Sequence, residues 1–194
     1  MANQPGLLVA DSPARNIVVN GHRTRHGVIN VETAADKLGN EIVVRTLDLD
    51  LARGYEDSGM RTFLAMYEAK QRPTMNDIGL DTLARHSWLP WLYKMGFNDP
   101  HNPRYLHCGD GIVTYFGTDH TGRTLGDLGS DSHRLIMGGI SSRVRLEGRP
   151  HYGRITRVLN MPGAIPSLSY RRLEVPIFEG SSVTGSLVYF STEG

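Results

Sequence analysis

Residues 104–128 read RYLHCGDGIVTYFGTDHTGRTLGDL, and the fold turns on how this stretch is parsed. Alternation from Arg104 to Gly109 predicts a short strand, with Tyr105 and His107 on one face and Leu106 and Cys108 on the other. Asp110 is placed to cap a short helix along which Ile112, Tyr115 and Phe116 form one apolar stripe. Gly117 supplies a left-handed exit, Asp119 a second cap, and Leu125 to Leu128 a further helical piece. A strand running into broken short helices that cross back over a sheet encloses a small cavity. The stretch therefore predicts a site as well as a fold.

Downstream, Ser130-Asp131 caps a longer helix with Ile136, Gly139, Ile140, Arg143 and Val144 on one side, closed by Gly148 and Pro150. Strands follow over 151–160, 168–178 and 183–191; Leu173, Val175 and Ile177 share a face, as do Val183, Leu187 and Tyr189. Upstream, Pro90 opens a strand whose Trp91, Tyr93, Met95 and Phe97 project to one face, and the turn through Asn98 to Pro103 makes it antiparallel to 104–109. Asn76-Asp77 caps a helix bearing Ile78, Leu80, Leu83 and Ala84. Residues 59–71 carry the helical stripe Phe63, Met66, Tyr67 and Lys70, stopped by Pro73. The element order is that of an α+β fold: a five-stranded antiparallel sheet flanked by short helices and one longer helix.

Residues 1–57 form an extension ahead of a domain spanning 58–194. Within it, Ile17-Val18-Val19 before Asn20-Gly21 predicts a hairpin with a partner at 27–31. Residues 41–51 alternate as a further strand, which would set Asp48 and Asp50 on one face.

The pattern Gly117-Thr118-Asp119, Thr121-Gly122-Arg123-Thr124-Leu125 resembles the G-x-D-x-T-G-[KR]-x-L signature of PAS sensory domains. Arg72-Pro73, Leu89-Pro90 and Val188-Tyr189-Phe190 stand at the distances seen in a group of bacterial PAS proteins that often stand alone. The resemblance covers Thr62 to Phe190. It implies a PAS fold and a sensory or regulatory role in signal transduction, exercised on a small ligand, a protein partner or both. It also implies a homodimer, with the 59–71 helix and the outer sheet face as the contact surface, so Phe63, Met66 and Tyr67 are the candidate interface residues. The same helix could equally cover the domain's own core. Haem would need an axial ligand, for which His120 and His133 are the candidates. Thr121-Gly122-Arg123 stands where flavin photosensors carry Asn-Cys-Arg, so the resemblance speaks against a flavin adduct.

Composition fits this. Hydrophobic residues make up 39% and charged residues 21%, as in a globular protein, and 21 basic against 20 acidic residues give no field selecting nucleic acid or anionic membrane. The basic run His22 to His26 reads as a solvated cluster. A single cysteine, Cys108, excludes an intramolecular disulfide and suits a reducing cytoplasm. The start, MANQPG, lacks a charged leader, and Leu7 to Ala10 is too short for a signal or spanning helix. No nucleophile elbow, phosphate loop, zinc-protease or kinase motif occurs, and His107 and Cys108 diverge on a strand, so no enzyme is expected. The expected ligand chamber is lined by Tyr105, His107, Ile112, Tyr115, Phe116, Leu125, Ile136 and Ile140. A structural interaction module, with that core packed shut, is the alternative.

Overall fold

The computed structural model describes residues 15–20, 28–35, 39–54, 58–99, 102–128, 131–158 and 167–192. The basic run His22 to His26 lies outside them. The β-branched runs near the start form strands β1 (Arg15–Asn20), β2 (Val28–Ala35) and β3 (Glu41–Leu47). Helices α1 (Leu49–Gly54), α2 (Ser58–Glu68), α3 (Met75–Ile78) and α4 (Leu80–Arg85) follow. After a 3₁₀ turn at Leu89–Trp91 come β4 (Leu92–Gly96), β5 (Arg104–Cys108) and α5 (Asp110–Phe116). A second 3₁₀ turn, Leu125–Asp127, leads to α6 (Asp131–Glu147), then β6 (His151–Val158), β7 (Ser167–Glu179) and β8 (Ser182–Thr192).

The architecture is α+β, but five strands is too few. All eight described strands form one sheet in the order β1-β2-β3-β6-β7-β8-β4-β5, each neighbour antiparallel. The expected five are contiguous as β6-β7-β8-β4-β5, and the strands from residues 15–47 continue the sheet beyond β6. The physical reason is edge satisfaction: β3 pairs along the whole of β6, from Glu41 opposite Val158 to Leu47 opposite Tyr152. The strand expected over 41–51 stops at Leu47. Asp48 Oδ1 accepts the Asp50 backbone N–H at 3.0 Å and starts α1, so Asp48 and Asp50 do not share a strand face.

Both faces of the sheet are covered around β6, β7, β8 and β4. One carries α5, the Leu125–Asp127 turn and α6 over Tyr93, Met95, Tyr105, Ile155, Tyr170, Val188 and Phe190. The other carries α1 to α4 over Tyr152, Leu173, Val175, Ile177, Leu187 and Tyr189. The expected interface residues lie in this second layer. Phe63 is 0% exposed and Tyr67 6%, Met66 is partly buried, and all three pack on the chain's own core. The helical stripe is spent inside the molecule.

Sequence motifs have local duties. Pro73 ends the α2 segment, and its carbonyl accepts the Phe178 N–H at 3.1 Å, on the length of β7 that runs past the end of β6. Tyr67 Oη donates to Pro176 O at 3.0 Å on the same length. The α3 cap is Thr74, in a reciprocal box with Asp77, two residues ahead of the expected Asn76. Gly109 stands where Leu89-Pro90 crosses: a Cβ there would collide with both of their carbonyl oxygens. Gly109→Ala is therefore expected to cost about 1–3 kcal/mol, read as a lower melting temperature by calorimetry. No helix among the described residues is long and apolar enough to cross a membrane.

Candidate functional site

The site is built by the G-x-D-x-T-G-R-x-L stretch folding back on β5. Gly117 takes the left-handed conformation (φ 73°) that ends α5. Asp119 Oδ1 accepts the Thr121 N–H at 2.8 Å, and Thr121 Oγ1 accepts the Cys108 N–H at 3.1 Å. Gly122 donates to Tyr105 O at 2.8 Å, while Arg123 O accepts the Tyr105 N–H at 2.9 Å. Thr124 and Asp127 close a capping box, and Leu125 is inserted into the core at 2% exposure. The motif thus seals the open edge of β5 and carries His120 inward.

His120 lands in an aromatic cluster. Its Nδ1 is 3.1 Å from Tyr93 Oη, and its ring centroid lies 5.9 Å from Tyr93, 5.5 Å from Tyr105 and 6.4 Å from Phe116. Phe190 joins by stacking on Tyr170 at 4.7 Å and meeting Tyr93 edge-on at 5.1 Å. Tyr115 Oη donates to Ser169 O at 3.0 Å. Beside the aromatics stands a buried ion pair on β7, with Arg172 Nη2 2.6 Å from Glu174 Oε2. Glu174 Oε1 accepts from Ser186 Oγ at 2.7 Å and from Ser141 Oγ of α6 at 3.3 Å. Arg172 Nη1 is buried and finds no protein partner.

Tyr105, Ile112, Tyr115, Phe116, Leu125, Ile136 and Ile140 all meet in this one cluster. His107 does not. Lys94 pairs with His107 but Met95 pairs with Tyr105, so Leu106 is an extra residue bulged out of the ladder. The bulge puts Tyr105 and Cys108 on the inner face together and turns His107 to the opposite face. There it lines an apolar groove of about 290 Å³ with Met75, Leu80, Leu83 and Leu187. A second bulge, at Thr184, turns Val183 to the inner face, away from Leu187 and Tyr189.

Sequence reasoning missed Tyr170, Arg172, Glu174 and Ser141. Their signal was present: Tyr170, Arg172 and Glu174 sit two apart, on the face of β7 opposite Leu173, Val175 and Ile177. That face reads as solvated only if one side of the sheet is bare, and here neither is.

Burial dominates the electrostatics. It holds the phenols of Tyr93, Tyr105 and Tyr170 protonated well above their ordinary range and raises the Cys108 thiol, which is 5% exposed. His120 is brought down to about 4 by burial, then by the charges of Arg157 and Arg123. His133 is pushed well below its ordinary value by burial and then by Arg157. His151 falls to about 3 through burial and the nearby Arg172 and Arg143. These rings are neutral in the folded chain at neutral pH. An unfolded histidine takes its proton near the ordinary 6.5, so below that value the unfolded state binds more protons. Stability is therefore expected to fall as pH drops from about 6.5 toward 3, seen as a falling urea midpoint, with His120→Phe flattening the slope between pH 6.5 and 4.

The groups gathered here are a buried guanidinium N–H, phenolic hydroxyls and apolar ring faces. As for a haem ligand, His120 has committed Nδ1 to Tyr93, leaving Nε2 as the nitrogen that could reach a metal. Among the described residues no group of three or more His, Cys, Asp and Glu side chains is placed to hold a metal ion. The chain matches no family model and no curated protein.

Proposed function

We propose that this chain is a PAS-type sensory module that binds a small molecule in the chamber between the sheet and α5–α6 and relays its occupancy to a protein partner. The observation that carries the reading is Arg172. A guanidinium buried to 4% exposure, with one nitrogen paired to Glu174 and Nη1 without a protein partner, is costly in a purely structural core. It is the expected anchor for a ligand carbonyl or carboxylate whose body lies against Tyr105, Tyr170 and Phe190. The resemblance adds support, since the motif residues fold the short helices over one face of five contiguous antiparallel strands. A reducing cytoplasm suits the lone, buried Cys108. With α1–α4 over the opposite face, a partner or second copy would meet helices there instead of bare strands.

The test is native mass spectrometry and an absorbance spectrum of freshly purified protein, followed by melting curves against carboxylate- and carbonyl-bearing metabolites. A co-purified mass, or a ligand-induced rise in melting temperature that disappears in Arg172→Met/Glu174→Leu, supports the reading. A bare mass with no shift across the panel leaves the packed-shut interaction module, which the close aromatic stacking also fits.

A further inference from the structure

A groove of about 440 Å³ opens where the last turn of α6 meets the turn between β7 and β8. Two arginines far apart in sequence line it: Arg72, from the loop after α2, and Arg145, from α6. Phe178 brings them together. Its backbone N–H donates to Pro73 O at 3.1 Å, and the Arg72 guanidinium carbon lies 5.9 Å from its ring centroid. The same ring reaches the exit of α6, where a Cβ on Gly148 would meet its Cζ at 3.5 Å.

Arg72 is held in an unusual backbone. Its φ of 51° lies in the left-handed region, whereas the proline that follows favours an extended residue before it. Glycine would make this turn at lower cost. An arginine kept there points to a use for its side chain. The polar groups are also accessible: Arg72, Ser181 and Ser182 are exposed and Arg145 is half-buried. Among the described residues Arg53, Arg134, Arg143 and Arg172 are each held by a carboxylate, and Arg72 and Arg145 are not. The one carboxylate in the lining, Glu147, shares an adjoining cavity with Arg143 and Arg149, so the groove keeps a surplus of positive charge.

The geometry points to a phosphate monoester as the ligand of this groove, its phosphoryl oxygens taken by Arg72 and Arg145 and its organic part laid against Leu146 and Val183. Guanidinium forks take phosphate oxygens in pairs, and the hydroxyls of Ser181 and Ser182 add donors that a two-oxygen carboxylate would leave idle. Occupancy ties the exit of α2, on one face of the sheet, to α6 on the other. None of Arg172, Glu174, Ser186 and Ser141 lines the groove, so the proposal stands without the reading at Arg172.

The test is calorimetric titration of the full chain at low ionic strength with phenyl phosphate and with inorganic phosphate. Saturable binding is expected, tighter for the ester. Arg72→Gly, which suits the left-handed backbone, and Arg145→Met should each weaken it about tenfold, and Glu147→Gln should tighten it. Arg85→Met, on α4 outside the groove, removes the same charge and should leave binding unchanged. If one arginine variant fails to fold by circular dichroism, the other carries the test, since each supplies one arm of the clamp. No binding at about 10 mM, inorganic phosphate bound as tightly as the ester, or equal weakening by Arg85→Met overturns the proposal.

Discussion

Glu174→Ala is expected to destabilise the folded chain by about 3–5 kcal/mol, enough to consume much of a small domain's stability. Glu174 is 0% exposed, takes the Arg172 guanidinium at 2.6 Å and receives both Ser186 and Ser141. Removing it strands a buried cation, away from water. Two hydroxyls lose their acceptor as well. Urea unfolding followed by circular dichroism should show the midpoint fall with little change in slope. The double variant Arg172→Met/Glu174→Leu removes both charges at similar volume and should recover most of the loss, because breaking a buried pair costs far more than replacing it. A single variant as stable as wild type would mean that water reaches the pair.

Phe63→Ala should cost a similar amount, about 3–5 kcal/mol. The ring is fully buried, meets Trp88 edge-on at 5.3 Å and stacks on Tyr189 at 5.5 Å. Truncation opens a cavity between α2 and the sheet that the flanking Met60 and Leu64, themselves fully buried, cannot fill without moving. The readout separates two roles for α2. If the helix serves the chain's own core, Phe63→Ala lowers the melting temperature at every protein concentration. A helix whose ring were buried only between two copies would instead give a change of mass in sedimentation with the melting temperature intact.

How far the sequence reached can be judged residue by residue. Periodicity placed α2, α6 and the five later strands, because each carries an apolar stripe or alternation that only one geometry satisfies. The core cluster was legible for Tyr105, Ile112, Tyr115, Phe116, Leu125, Ile136 and Ile140 because they flank a single fold-back of the chain. His107 escaped because one bulged residue, Leu106, reverses every facing after it, and a bulge leaves no mark in a five-residue strand. Arg172 and Glu174 escaped because alternation reports two faces without saying that both are covered. The pairing of β3 with β6 escaped for a different reason: hydrogen-bonded neighbours more than a hundred residues apart, such as Thr46 opposite Gly153, share no local pattern.

That long-range pairing governs how the molecule can be made. On a ribosome the β2–β3 hairpin is finished when residue 47 emerges, yet the strand it docks against is not complete until residue 158. At about 5–20 residues per second, the hairpin waits several seconds or more with one long edge unpaired. The hairpin cannot dock before β6 is made, but β6 emerges ahead of β7 and β8, so β3 can pair with it before the rest of the sheet is complete. Slowing translation between residues 48 and 150 would lengthen the exposure of that edge, and aggregation of the nascent chain should rise with it.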